Sequence, residues 1–165
     1  MKIPRPARTS SVFRSLFLRP LSEPSESRPV VVTGVSLRGS LQLRHVDAGS
    51  CNGCEVEITS ALAPHYDAGR FGIRLVASPR HADGLLVTGV VTHNMEGPLR
   101  QTLAALPRPS VIVACGDCAV NGGIFVGAQG VSTTLDQIVT ADVSIPGCPP
   151  HPRDIVTALR TLSGR

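Results

Sequence analysis

The residues of this chain best suited to chemistry are its five cysteines: Cys51, Cys54, Cys115, Cys118 and Cys148. Cys51-Asn52-Gly53-Cys54 sets two thiols three positions apart, a spacing that lets both bind one metal centre. Cys118 and Cys148 are distant from that pair, with 63 residues between Cys54 and Cys118 and 29 between Cys118 and Cys148. Structural zinc usually draws on two pairs of close-spaced ligands. One close pair followed by two distant thiols suits an iron–sulfur cluster better, because its corners accept scattered ligands. Zinc held by four thiolates is the alternative, and disulfides rank third. A chain of ordinary composition with five cysteines does not read as a secreted disulfide framework, so a reducing compartment is expected.

The elements around these thiols follow from periodicity. Ser40 to Val46 alternates apolar and polar residues, as a half-buried strand does. Gly72 to Ala77, Gly84 to Val91, Ser110 to Ala114 and Asp142 to Ile145 read as further strands, the middle ones as buried apolar runs. Cys54 to Ala63, Met95 to Leu106, Leu135 to Val139 and Asp154 to Leu162 read as helices, the first two ended by proline. Strand and helix alternate, which predicts an α/β sandwich with a mostly parallel sheet. The stretch from Gly116 to Gly130 reads as a glycine-rich loop.

On that map Cys51 and Cys54, Cys118, and Cys148 each follow a strand. In a parallel sheet those C-terminal ends share one edge, where sites form. Cys54 and Cys148 also begin or precede helices, whose N-termini favour thiolate charge. Cys115 closes an apolar strand and reads as a small core residue. Cys118, past Gly116-Asp117, reads as the ligand in the loop.

Composition bounds the rest. A length of 165 residues allows one domain and a tail, and 42% hydrophobic with 17% charged residues is globular. Residues 1–30 carry six basic and two acidic side chains, which accounts for the whole net charge of +4. Residues 1–36 therefore read as a mobile basic arm, and 37–165 as the domain. Within the arm, Val12, Phe13, Leu16 and Phe17 fit one face of a short amphipathic helix for a membrane surface or a partner. A disordered tail, or a mitochondrial-type targeting peptide lacking acids up to residue 22, are the other readings. The neutral body and the absence of Trp argue against nucleic acid. No GxxxxGK[ST] or GxGxxG stands at a strand end, so no nucleotide is expected. No run reaches the length of a membrane span.

Five segments in order carry a resemblance: Asp47 to Ile58, Arg70-Phe-Gly-Ile73, Ser78-Pro-Arg-His-Ala-Asp83, Gly116-Asp-Cys-Ala119 with Gly122-Gly123, and Pro146-Gly-Cys-Pro-Pro150. Over about residues 40–163 the chain resembles the family that joins small subunits of nickel–iron hydrogenases to the cluster-bearing B-type subunit of respiratory complex I. The resemblance implies a flavodoxin-like three-layer domain. It also implies one [4Fe-4S] cluster on Cys51, Cys54, Cys118 and Cys148, with Cys115 matching no ligand.

Cys-Asn-Gly-Cys is similar to hydrogenases, since complex I subunits have adjacent cysteines there. The chain looks most like the small subunit of group 4 energy-converting hydrogenases of the formate hydrogenlyase type. That implies an electron-transfer subunit on the inner face of the cell membrane. Its partners would be a large subunit with the nickel–iron centre or a quinone site, and other iron–sulfur and membrane subunits. A B-type subunit of an NADH:quinone oxidoreductase-like complex is the alternative.

Glu57 falls where the family usually has Glu, and reads either as a proton-path residue or as a first-turn acid favoured by the helix dipole. Arg80, His81 and Asp83 read as a large-subunit face or as a capped turn. His65 and His93 read as surface or turn residues.

Overall fold

The computed structural model describes residues 30–32 and 39–164. The expected arm helix at Ser11 to Leu21 lies outside the described residues. The strands are β1 (Val31–Val32), β2 (Leu41–Asp47), β3 (Ile73–Leu75), β4 (Gly84–Thr88), β5 (Val91–Thr92), β6 (Val111–Cys115), β7 (Val131–Thr133) and β8 (Val143–Ile145). The helices are α1 (Gly53–Leu62), α2 (His93–Ala104), α3 (Asp117–Asn121) and α4 (Pro152–Ser163). The main sheet runs β1-β8-β6-β4-β2-β3. Its five strands from β3 to β8 are parallel, and β1 adds antiparallel to β8. Taken in chain order, the parallel strands sit 2-1-3-4-5, the flavodoxin-like arrangement. β1 places Val31 and Val32 beside Ser144 and Val143 at the edge of the sheet.

Each face of the sheet buries a separate core. Leu41, Leu43, Leu86, Val113 and Ile145 pack with Ile58 of α1 and Ile155, Leu159 and Leu162 of α4. Leu85, Val87, Ile112 and Ala114 pack on the other face with Leu99 of α2 and Leu135. The central strands β4 and β6 are buried along their whole length, which is why they read as continuous apolar runs. Helices on both faces make three layers.

The elements differ from expectation in four places. The apolar run from Gly84 to Val91 breaks at Gly89, whose φ of +76° turns the chain into the separate strand β5. β5 pairs antiparallel with β7 in a second, two-stranded sheet. The helix expected at Leu135 to Val139 is a short 3-10 turn, Leu135–Gln137. The glycine-rich stretch holds α3, so Cys118 lies in a helical first turn and not in a loop.

Four strands end on one row. Asp47 pairs with Thr88, Thr88 with Cys115, and Cys115 with Ile145. The chain leaves the sheet at that row four times, and three of those exits carry the cysteine segments.

Candidate metal centre

Cys51, Cys54, Cys118 and Cys148 all line one cavity of about 120 Å³ at the C-terminal edge of the sheet. Ser50, Gly53, Gly89, Asp117, Gly147 and Pro149 complete the wall. The site's four expected residues are thus brought together from three loops. Cys54 and Cys118 are buried, whereas Cys51 and Cys148 are exposed. The wall is mostly thiols, glycine and proline, so no large side chain competes for the space.

Local chemistry shapes the close pair. The Asp47 carboxylate accepts from Gly49 N at 2.8 Å and from Ser50 N at 2.7 Å. Ser50 Oγ in turn accepts from Asn52 N at 3.1 Å. Asn52 takes a left-handed conformation, φ 71°, as the N-cap of α1, and Asn tolerates that region better than most residues. Cys54 then falls in the first turn of α1.

Cys118 sits in the first turn of α3, behind Gly116. Gly116 has a φ of +90°, and a Cβ there would stand 2.5 Å from Cys54 Sγ. Only glycine allows β6 to deliver Cys118 while Cys54 packs against the same turn. Cys148 follows Gly147 in the turn after β8, and its peptide bond to Pro149 is cis.

Cys115 is fully buried in the core and does not line the cavity. The sequence did not show that its thiol reaches Cys54. A hydrogen bond from Cys115 holds the Cys54 thiol below its ordinary range, against the opposing effect of burial. The same bond, with burial, pushes Cys115 well up. Cys118 is pushed up by burial and by the nearby Cys148, Cys54 and Cys51. Cys118 is therefore harder to ionise than a free thiol, and positive charge in the cavity, such as a metal centre supplies, would offset that. Among the described residues, no three His, Cys, Asp or Glu side chains form a compact group for a single metal ion. The four thiols share one cavity lined mainly by small residues, so they could together hold one metal centre.

Other expected residues lie apart. Glu57 is half-exposed on α1 and does not line the cavity. Arg80 and His81 are exposed on the 3-10 turn Pro79–His81, and Asp83 Oδ2 accepts from Gln42 N at 2.7 Å. That segment leads into the start of β4, the opposite end of the strand from the cysteine edge. His65 packs edge-on against Tyr66, and His93 is exposed at the start of α2.

A polar group absent from the sequence reading sits beside the centre. Thr88 Oγ1 donates to Glu55 Oε1, and His45 Nε2 lies 2.9 Å from Thr88 Oγ1 and 3.5 Å from Glu55 Oε1. Glu55 Oε2 is buried with no hydrogen-bond partner. Burial lowers the His45 pKa, with Glu55 pulling the other way. The alternation of β2 gives His45 as a polar residue, but only the pairing of β2 with β4 sets it beside Thr88 and Glu55.

Residues 51–162 match the family described as NADH ubiquinone oxidoreductase, 20 Kd subunit. A protein of Pyrococcus furiosus named as probable membrane-bound hydrogenase subunit mbhJ is 47% identical over 112 residues, covering 68% of this chain and 67% of that protein. Formate hydrogenlyase subunit 7 of Escherichia coli is 47% identical over 116 residues, 70% of this chain. This chain's match spans only 46% of that relative's length. Among solved structures, a chain of the membrane-bound sulfane sulfur reductase, an archaeal respiratory membrane complex, superposes with a TM-score of 0.65 at 34% identity. The superposition covers 76% of this chain and 69% of that one. With the match running through all three cysteine segments, the chain belongs to the NADH ubiquinone oxidoreductase 20 Kd subunit family.

Proposed function

We propose that this chain is the electron-relay subunit of a membrane-associated, hydrogenase-like oxidoreductase complex, and that it carries one [4Fe-4S] cluster on Cys51, Cys54, Cys118 and Cys148. The observation that carries the reading is the single cavity into which three strand ends deliver four thiols. Such a cluster accepts and releases one electron at a time, which is relay chemistry.

The chain's own residues do the rest. Cys51 and Cys54 grip from the start of α1, Cys118 from α3 and Cys148 from the turn after β8. Burial of Cys54 and Cys118 excludes water on one side, while exposed Cys51 and Cys148 mark the side on which a partner exchanges electrons. The Cys115 thiol donates to Cys54 and tunes the site without binding it. No helix among the described residues is long and apolar enough to cross a membrane.

The terminal chemistry belongs to the large partner. The relatives named for hydrogenase and formate hydrogenlyase, both 47% identical, favour a nickel–iron partner. The likeness to a chain of the sulfane sulfur reductase complex favours a second reading, in which the same relay serves a different terminal acceptor.

The test is Cys51→Ser in the complex purified anaerobically through a tag on this chain. Partner assembly should survive and electron throughput should be lost. Unchanged throughput would overturn the relay. Whether the co-purified large subunit contains nickel separates the two readings of the partner.

A further inference from the structure

The strands β6 and β8 end on the same row, yet their chains stay joined beyond it. Gly116 N donates to Ile145 O at 2.8 Å, adding one rung to the ladder. The next rung is of a different kind. Asp117 N donates to Gly147 O at 2.8 Å, and Gly147 N donates to the Asp117 carboxylate, Oδ1, at 2.8 Å. One residue thus satisfies both main-chain polar groups of Gly147. Each member of this pair stands directly before a cysteine: Asp117 before Cys118, and Gly147 before Cys148.

We propose that Asp117 is a positioning residue that fixes Cys118 and Cys148 relative to each other across the cavity. The proposal rests on reading those two thiols as ligands. The side chain is needed because Gly147 has left the strand conformation. Its φ is +140°, and a Cβ there would stand 2.6 Å from Pro150 Cα. The Gly147 N–H is met by the carboxylate rather than by a carbonyl of the neighbouring strand. Asp117 itself is partly buried and lines the cavity.

The close pair has no such requirement, since Cys51 and Cys54 share one turn that Asp47 and Ser50 organise locally. Cys118 and Cys148 are held together only through tertiary structure. The three residue pairs between β6 and β8 hold the strands without Asp117, so its loss should disturb the thiols more than the fold.

The experiment compares wild type, Asp117→Asn and Asp117→Ala in the complex purified anaerobically. The readouts are iron loss to a ferrous-iron chelator, the spectrum of the reduced cluster, and melting of the iron-free chain. Asn retains an oxygen acceptor; Ala does not. Asp117→Ala should lose iron about tenfold faster with an altered reduced spectrum, while Asp117→Asn stays within about twofold of wild type, in line with the usual effect of groups that orient metal ligands. Melting of both iron-free variants should match wild type.

Equal iron retention in Asp117→Ala and wild type would overturn the proposal. So would Asn as labile as Ala, which would assign the effect to charge rather than to the hydrogen bond. A large fall in the melting of iron-free Asp117→Ala would make Asp117 a fold residue and also overturn it. If wild type itself binds no iron, the cluster reading fails instead, and that result is visible before any variant is compared.

Discussion

The two halves of the proposed ligand set are built by different physics. Cys51 and Cys54 belong to one turn, whose shape comes from Asp47, Ser50 and the left-handed Asn52 within a few residues. Cys118 and Cys148 come from strands separated by an α/β crossover. Their meeting depends on parallel pairing of β6 with β8, on glycine at 116, and on the link between Asp117 and Gly147. A local pair is robust to distant change. A tertiary pair fails when any of several contacts fails.

That contrast orders the expected effects. Removing a distant ligand is the most severe. Cys118→Ser or Cys148→Ser should bring iron to background, measured as iron and acid-labile sulfide per chain, while Cys115→Ser stays near wild type. Equal loss in all three would show that the ligand choice is wrong.

The next effect is steric. Gly116→Ala must hold φ near +90° and bring a methyl group 2.5 Å from Cys54 Sγ. Forcing a side chain into that backbone region costs roughly 1–3 kcal/mol, and the clash adds to it. Iron content should fall and the melting temperature with it. By contrast, Asn52→Gly, which keeps the left-handed turn available, should leave both almost unchanged.

A smaller effect tests tuning. Cys115→Ala removes the hydrogen bond to Cys54 and leaves a small void, costing roughly 1 kcal/mol of stability for a lost group of about methylene size. Hydrogen bonds to ligand sulfur stabilise the reduced, more negative centre. The reduction potential should therefore move down in a redox titration, with iron content intact.

The smallest effect is a pH dependence. Burial lowers the His45 pKa below its ordinary 6.5 in the folded chain. The unfolded chain then binds more protons between the folded pKa and 6.5. The contribution of neutral His45 is present above about 6.5 and is lost as pH falls through the folded value. Chemical denaturation of wild type should show this decline in stability, and His45→Gln should reduce it.

Much of the account is legible in the sequence for reasons that differ by region. β4 and β6 are readable because both faces are buried, which makes Leu85, Leu86, Val87 and Val111 to Ala114 continuous apolar runs. Cysteine is rare enough that the strand ends point to one sheet edge, where Cys51, Cys54, Cys118 and Cys148 line the cavity. The short α3 is hidden, because Asp117 to Asn121 is bracketed by Gly116 and Gly122, residues that usually signal loop. The link from Asp117 to Gly147 and the group formed by His45, Thr88 and Glu55 are hidden for another reason. Their partners are brought together by strand pairing between residues 30 or more apart in the chain, and no local pattern records that.

The central claim is that one cavity, fed by three loops, holds one polynuclear centre. Metal and sulfide analysis with electron paramagnetic resonance of the anaerobically purified, dithionite-reduced chain in its complex tests it most directly. The account predicts four irons and four acid-labile sulfides per chain and a signal from a single reduced cluster. Stoichiometric zinc with no labile sulfide would contradict it.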